Sequence, residues 1–195
     1  MLTLVLGPVR AGKSARAQAL AHASGRPVLV AATAAVDPGD AEMVDRIERH
    51  RRDRPAGWTL VETAGPRTPS LVTVLEEAPP GSCVLIDALG TWIAAQLHEW
   101  SAWAERDIVA TLDALDAQGA ALADALARTA ADAIVVAEET GWGVVPPTPL
   151  GRIFRDALGR MTQAIARRAD RVELVVAGYA IDVRAIGTPV GEVRS

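Results

Sequence analysis

The chain has 195 residues, half of them apolar, with 20 basic and 24 acidic side chains and a formal net charge of −4. That size and balance fit one globular domain and argue against disorder, and the mild negative charge, with no basic tract beyond 49–54, argues against a nucleic-acid partner. Apolar runs such as 28–36 are far short of a membrane span, no basic leader precedes the first strand, and Cys83 as the one cysteine excludes an internal disulfide; a cytoplasmic protein is the expectation.

The first element is an apolar run at 2–6, which reads as a buried strand. It leads into Gly7-Pro8-Val9-Arg10-Ala11-Gly12-Lys13-Ser14, and an alanine-rich helical segment follows to about Ala23. Strand, glycine-bounded loop, Lys-Ser and helix together form a phosphate-binding P-loop. Gly7 and Gly12 let successive backbone N–H groups turn inward around phosphate oxygens, although Pro8 has no N–H to offer. The helix N-terminus adds its own donors and partial positive charge. Lys13 can reach the β- and γ-phosphates of a nucleoside triphosphate, and the Ser14 hydroxyl can ligate magnesium. Of the 20 basic residues, 19 are arginine and Lys13 is the one lysine. A slim, mobile ammonium is kept where phosphates must be reached.

Val28–Ala32 reads as a second buried strand, ending in Thr33-Ala34. Asp40 can cap a helix through Glu42, Met43, Ile47 and His50, which Pro55 ends. Trp58–Glu62 is a short strand with an acid at its end, and a helix follows from Ser70 to Glu77. Cys83–Asp87 is a continuous apolar run closing on an aspartate, the pattern of a buried parallel strand. Asp87 is then either a magnesium ligand beside Ser14 or a cap for the next helix. Residues 91–131 read as one or two helices broken near Gly119, with Trp92, Trp100 and Trp103 as packing residues. Further elements are a strand at 133–137 ending in Glu138-Glu139, an apolar loop at 141–147, a basic amphipathic helix at about 150–168 and a last strand at 172–178. The pattern after Ile186 is lost, so the domain is expected over 1–186 with a loose tail at 187–195. Alternation of strands and helices predicts a P-loop NTPase-like α/β fold, a mainly parallel sheet with helices on both faces. The P-loop, Thr33, Glu62, Asp87 and Glu139 all fall just beyond strand C-termini, the edge where such sheets bind ligands.

His22 and His98 read as surface residues, whereas His50 lies among Arg46, Arg49, Arg51 and Arg54. Those arginines can hold phosphates beside an imidazole that is nucleophilic near neutral pH. With the P-loop, the 30–34 segment, the Glu42–Trp58 segment, Leu85–Asp87, the Gly141-Trp142-Gly143 loop, Phe154–Arg160 and Val175–Gly178, the sequence resembles the bifunctional adenosylcobinamide kinase / adenosylcobinamide-phosphate guanylyltransferase family over about 1–186.

The resemblance implies two reactions: phosphorylation of adenosylcobinamide by GTP or ATP, then transfer of GMP from GTP through a covalent GMP on His50. It also implies that Ala32, Thr33, Ala34, the segment His50-Arg51-Arg52-Asp53 and Glu62 contact the guanine nucleotide. Magnesium is the implied ion, the corrinoid and nucleotides are the implied partners, and a homotrimer is the implied assembly. A P-loop kinase of another small molecule, with a merely structural His50, and a nucleotide-sensing protein without turnover are the competing readings.

Overall fold

The computed structural model describes residues 1–34, 55–65, 67–100 and 106–190. Its frame is a set of seven strands among the described residues. They are β1 (Leu2–Gly7), β2 (Val28–Ala32), β3 (Thr59–Glu62), β4 (Cys83–Asp87), β5 (Asp132–Glu138), β6 (Arg171–Val176) and β7 (Tyr179–Asp182); of these, β1, β2, β4 and β5 are mostly buried. All seven form one sheet in the order β3-β2-β4-β5-β1-β6-β7, parallel throughout except for the antiparallel β6–β7 pair. The described helices are α1 (Lys13–Ala23), α2 (Leu71–Glu77), α3 (Leu89–Glu99), α4 (Ile108–Arg128), α5 (Pro149–Arg168) and the single-turn α6 (Val183–Ile186).

Alternation along each strand splits the core in two. Leu2, Leu4, Val84, Ile86, Ala133 and Val135 face α2, α3, α4 and α5. Val5, Leu85, Ile134 and Val136 face the other way, toward Ala17 and Ala21 of α1. Each fully buried Leu, Ile or Val stabilises the fold by roughly 1.5–3 kcal/mol. The alanines of α1 act differently: with almost no side chain, they let the helix lie close to the sheet. On the opposite face, Arg160 pairs with Asp116 at 2.7 Å and Arg168 with Asp124 at 2.6 Å. Both partners advance by eight residues, so α4 and α5 run side by side in one direction, as helices preceding and following a parallel strand must. These pairs are half-exposed and contribute at most about 1 kcal/mol each.

The expected parallel α/β sheet with helices on both faces is present, and several local readings need correction. Gly119 does not break a helix; it sits inside α4, which begins at Ile108, while α3 ends at Glu99. The reason is packing. A β-carbon at Gly119 would come within 3.0 Å of the Met161 terminal methyl on α5, so glycine serves the helix contact. The last strand ends at Val176, because Ala177 and Gly178 have φ of 50° and 83° and turn the chain back into β7. Two successive positive φ values are what a two-residue type I′ hairpin turn requires. Residues 179–186, to which the sequence reading assigns no element, form β7 and α6. The helix expected at 40–54 lies outside the described residues. Cys83 is fully buried, and burial pushes its thiol up to about 11, so at neutral pH it is a core side chain.

One buried charge breaks the apolar pattern. Glu173 on β6 has no exposed surface and takes a bidentate contact from Arg16 of α1, Nε to Oε2 at 2.7 Å and Nη2 to Oε1 at 2.8 Å. Arg171 adds a third contact at 2.7 Å. The Arg16 guanidinium holds the Glu173 carboxyl below the usual carboxylate range, against the opposing effect of burial. A carboxylate whose folded pKa is depressed adds stability that is fully present above its unfolded value, about 4.3. That stability is lost as pH falls below this value through the folded one. Glu173→Gln should therefore destabilise the protein at pH 7 by about 1.5–3 kcal/mol, since it removes the charge that accepts the Arg16 hydrogen bonds while solvent partly screens the guanidinium left behind. Chemical denaturation at pH 7 and at successively lower pH should show the gap from wild type narrowing in acid. A gap independent of pH would mean that the ion pair is not what Glu173 contributes.

Candidate functional site

The C-terminal ends of β1, β2, β3, β4 and β5 lie along one edge of the sheet. Registration sets their level: Gly7 pairs with Glu138, and Ala32 pairs with Asp87 on one side and Glu62 on the other. β1 ends at Gly7, and residues 8–12 turn into α1. Gly12 is the residue before the helix, with φ of 103°, and Arg10 has φ of 59°. Conformations of this kind turn backbone N–H groups toward one concavity.

Backbone contacts from both neighbouring strands fix this loop. The Glu139 N–H donates to the Gly7 carbonyl at 2.8 Å, and the Gly178 N–H donates to the Ala11 carbonyl at 3.0 Å. A β-carbon on Gly7 would run into the Val175 carbonyl oxygen, so no other residue fits between β1 and β6 at this point. Lys13 is buried, 8% exposed, and its Nζ donates to the Pro8 carbonyl at 2.8 Å. The ammonium therefore lies within the loop it belongs to. Val9 and Arg10 are exposed at the loop tip, and Pro8 is half-buried behind them.

Because β5 lies between β1 and β4, the loop and Asp87 stand one strand apart. The Ser14 Oγ donates to Asp87 Oδ1 at 3.2 Å. The residue capping α3 is Ala88 and not Asp87, so the Asp87 carboxylate faces the loop serine. Two hard oxygen donors side by side next to a phosphate loop are a donor set that suits magnesium, which takes one or two protein ligands and fills the rest with phosphate and water.

The other expected residues are placed as follows. Glu62 is exposed at the end of β3, Ala32 and Ala34 are half-buried, and Thr33 between them has no exposed surface. The Thr33 hydroxyl points into the β4–α3 turn, where it contacts Ala88 and Thr91. His50, Arg51, Arg52 and Asp53 lie outside the described residues. His22 and His98 are exposed.

Two participants are given no role in the site from sequence. The Glu138 Oε2 accepts the Gly90 N–H at 2.9 Å, reaching from β5 to the first turn of α3, and a side chain at Gly90 would collide with that carboxylate. The paired acids Glu138-Glu139 at a strand end were the available signal; which of them turns inward depends on the register. The second is the Ala177-Gly178 turn backing the loop, for which a small-residue dipeptide after an apolar run was the cue.

Comparison with known proteins supplies the kinship. The family model for CobU, cobinamide kinase / cobinamide phosphate guanyltransferase, matches residues 3–183. The bifunctional adenosylcobalamin biosynthesis protein CobP of Pseudomonas aeruginosa is 37% identical over 184 residues, covering 94% of this chain and 98% of that protein. The corresponding CobU of Escherichia coli is 34% identical over 188 residues, covering 94% of this chain and all of the relative. Among solved structures, a prototypical ATPase from the type III secretion system of pathogenic bacteria is similar in fold, with a TM-score of 0.53 and 10% identity over 97% of this chain and 59% of that one.

The close approach at Gly7 can be tested directly. Gly7→Ala should displace the loop from Val175 and weaken nucleoside triphosphate binding by at least about tenfold, a cost of roughly 1.4 kcal/mol. Calorimetric titration with a non-hydrolysable triphosphate would measure it. Unchanged affinity would mean that the loop tolerates a side chain against β6.

Proposed function

The chain belongs to the cobinamide kinase / cobinamide phosphate guanyltransferase family, and from that premise we propose how its residues divide two reactions. It is a bifunctional enzyme of adenosylcobalamin biosynthesis, with kinase and guanylyltransferase activities on a corrinoid. The observation that carries the reading is the meeting of Ser14 and Asp87 at 3.2 Å beside Lys13 in a phosphate loop.

In the kinase reaction the aminopropanol hydroxyl of adenosylcobinamide attacks the γ-phosphorus of ATP or GTP. The nucleoside diphosphate leaves, and the hydroxyl proton is released as the new P–O bond forms. The residues of this chain orient the transferring group. The N–H groups of 9–13 cradle the phosphate oxygens, and Lys13 exchanges its contact with the Pro8 carbonyl for the β- and γ-phosphates. Ser14 and Asp87 would hold magnesium, which supplies charge neutralisation on those phosphates.

In the second reaction a nitrogen of the His50 imidazole attacks the α-phosphorus of GTP, and pyrophosphate leaves. The corrinoid phosphate then displaces the histidine nitrogen from GMP, giving adenosylcobinamide-GDP and restoring free His50. Arg51, Arg52 and Asp53, with Ala32, Ala34 and Glu62, form the proposed guanine-nucleotide surface; the Thr33 hydroxyl between those alanines is taken up by Ala88 and Thr91. Ala32, Glu62 and Asp87 share one level on the sheet edge, which supports a nucleotide lying across these strand ends. A cytoplasmic homotrimer is the assembly we propose. Among the described residues, no helix is long and apolar enough to cross a membrane.

The two-step route is tested by labelling. The enzyme should retain label from α-labelled GTP and none from γ-labelled GTP, in a bond labile to acid and stable to base. His50→Ala should remove the label and guanylyl transfer while sparing the kinase reaction; His22→Ala and His98→Ala should still label. Normal labelling of the His50 variant would overturn the assignment.

The loop after β5 bears on the corrinoid. Trp142, Val144 and Val145 are 63%, 95% and 63% exposed, and the loop begins two residues after Glu139, whose N–H donates to the Gly7 carbonyl. A large apolar surface next to the phosphate loop suits a substrate with a bulky macrocycle. Trp142→Ala should raise KM for cobinamide by about tenfold, the loss expected for one well-packed aromatic contact, and leave KM for the triphosphate unchanged. An equal rise in both would place Trp142 with the nucleotide instead.

A further inference from the structure

The turn from β4 into α3 must hold Asp87 at the phosphate loop, and its own backbone is held by a hydroxyl from another strand. Thr33, just past the end of β2, is fully buried, and its Oγ1 donates to the Ala88 carbonyl at 2.7 Å. The same oxygen accepts the Ala88 N–H at 2.9 Å and lies 2.6 Å from the Thr91 Oγ1. A threonine hydroxyl has one donor and two acceptor sites. With Thr91 donating across the 2.6 Å contact, all three are used within this turn and none remains for a ligand. With its proton given to Thr33, the Thr91 Oγ1 still accepts weakly from the Ala88 N–H, 3.3 Å away. From the far side, Glu138 accepts the Gly90 N–H.

We infer that Thr33 is a positioning residue for Asp87: by binding both backbone groups of Ala88 it fixes the carboxylate against Ser14, and so sets metal affinity rather than contacting the nucleotide. The physical ground is that Ala88 is the next residue after Asp87, so its peptide orientation fixes where the Asp87 side chain starts. A buried hydroxyl with every hydrogen bond made is also a rigid support, since loosening it leaves polar groups unsatisfied. Neighbours that orient a metal ligand are typically worth 10–100-fold in metal affinity. The inference rests on the reading of Ser14 and Asp87 as the metal ligands, and its test separates the two.

Manganese binding to the protein in the presence of a non-hydrolysable triphosphate, followed by electron paramagnetic resonance, reads metal affinity without turnover. Triphosphate affinity in EDTA, read by calorimetry, gives the metal-free contact. Thr33→Val preserves shape and removes the hydroxyl, leaving the Thr91 contacts in place. It should weaken manganese about tenfold and change metal-free triphosphate affinity less than about twofold, the scatter expected when no contact is lost. Thr33→Ser should restore manganese affinity. Asp87→Asn is the control for the underlying site and should weaken manganese at least as much. Loss of metal-free triphosphate affinity in Thr33→Val would show a direct nucleotide contact and overturn the inference. Equal losses in the Val and Ser variants would also overturn it, since packing rather than the hydroxyl would then matter. If Asp87→Asn binds manganese normally, the reading of the metal site itself fails. If Thr33→Val does not fold, Thr91→Val tests the same turn, with a smaller loss of manganese affinity expected and no loss refuting the role.

Discussion

Everything at the ligand edge depends on backbone meeting backbone around the β1–α1 turn. On one side the Glu139 N–H closes onto the Gly7 carbonyl, and on the other the Val175 carbonyl occupies the place of a side chain on Gly7. The Gly178 N–H then ties the loop's far end, at Ala11. Such contacts are short and directional, so the neighbouring strands themselves hold the loop's concavity. Preorganisation of this kind lowers the entropic cost of binding and keeps donors in place as charge develops on a transferring group.

The electrostatics follow the same division of labour. Arg16, one turn inside α1, is matched by the buried Glu173, so its charge fastens the helix to β6. Within the loop, Arg10 stands exposed at the tip, whereas Lys13 is buried and lies against the Pro8 carbonyl. Opposite it, Asp87 approaches Ser14 across the width of β5. Basic and acidic groups are thus separated by one strand, an arrangement that can hold phosphate and cation together. The turn carrying Asp87 takes support from β2 through Thr33 and from β5 through Glu138, one side chain from each flanking strand.

Membership of one family with CobP and CobU gives the chemistry a context that the fold alone does not. A likeness to an ATPase at 10% identity reaches only the fold. What distinguishes this chain along the edge is a combination: the lysine of the loop, the acid ending β4 and the apolar loop after β5.

Much of this was legible without coordinates, because the signals were local. Continuous apolar runs such as Cys83–Ile86 can only be strands covered on both faces, and the spacing of Gly7, Gly12, Lys13 and Ser14 demands a strand before it and a helix after. The acids at 62, 87 and 139 mark strand ends because a charge there stops the buried run. The rest required knowing which strands are neighbours. Strand order β4-β5-β1 brings Ser14 to Asp87 although 73 residues separate them. Gly119 read as a break because a glycine weakens a helix in isolation; Met161, from another helix, supplies its reason to be there. β7 is only four residues long and largely exposed, so it had no hydrophobic run to betray it, and only the Ala177-Gly178 turn made it pair. Thr33 carries the sharpest contrast. Sequence resemblance put it with the nucleotide, whereas the tertiary structure turns its hydroxyl onto Ala88, because a buried polar group must find its hydrogen bonds where the fold places them.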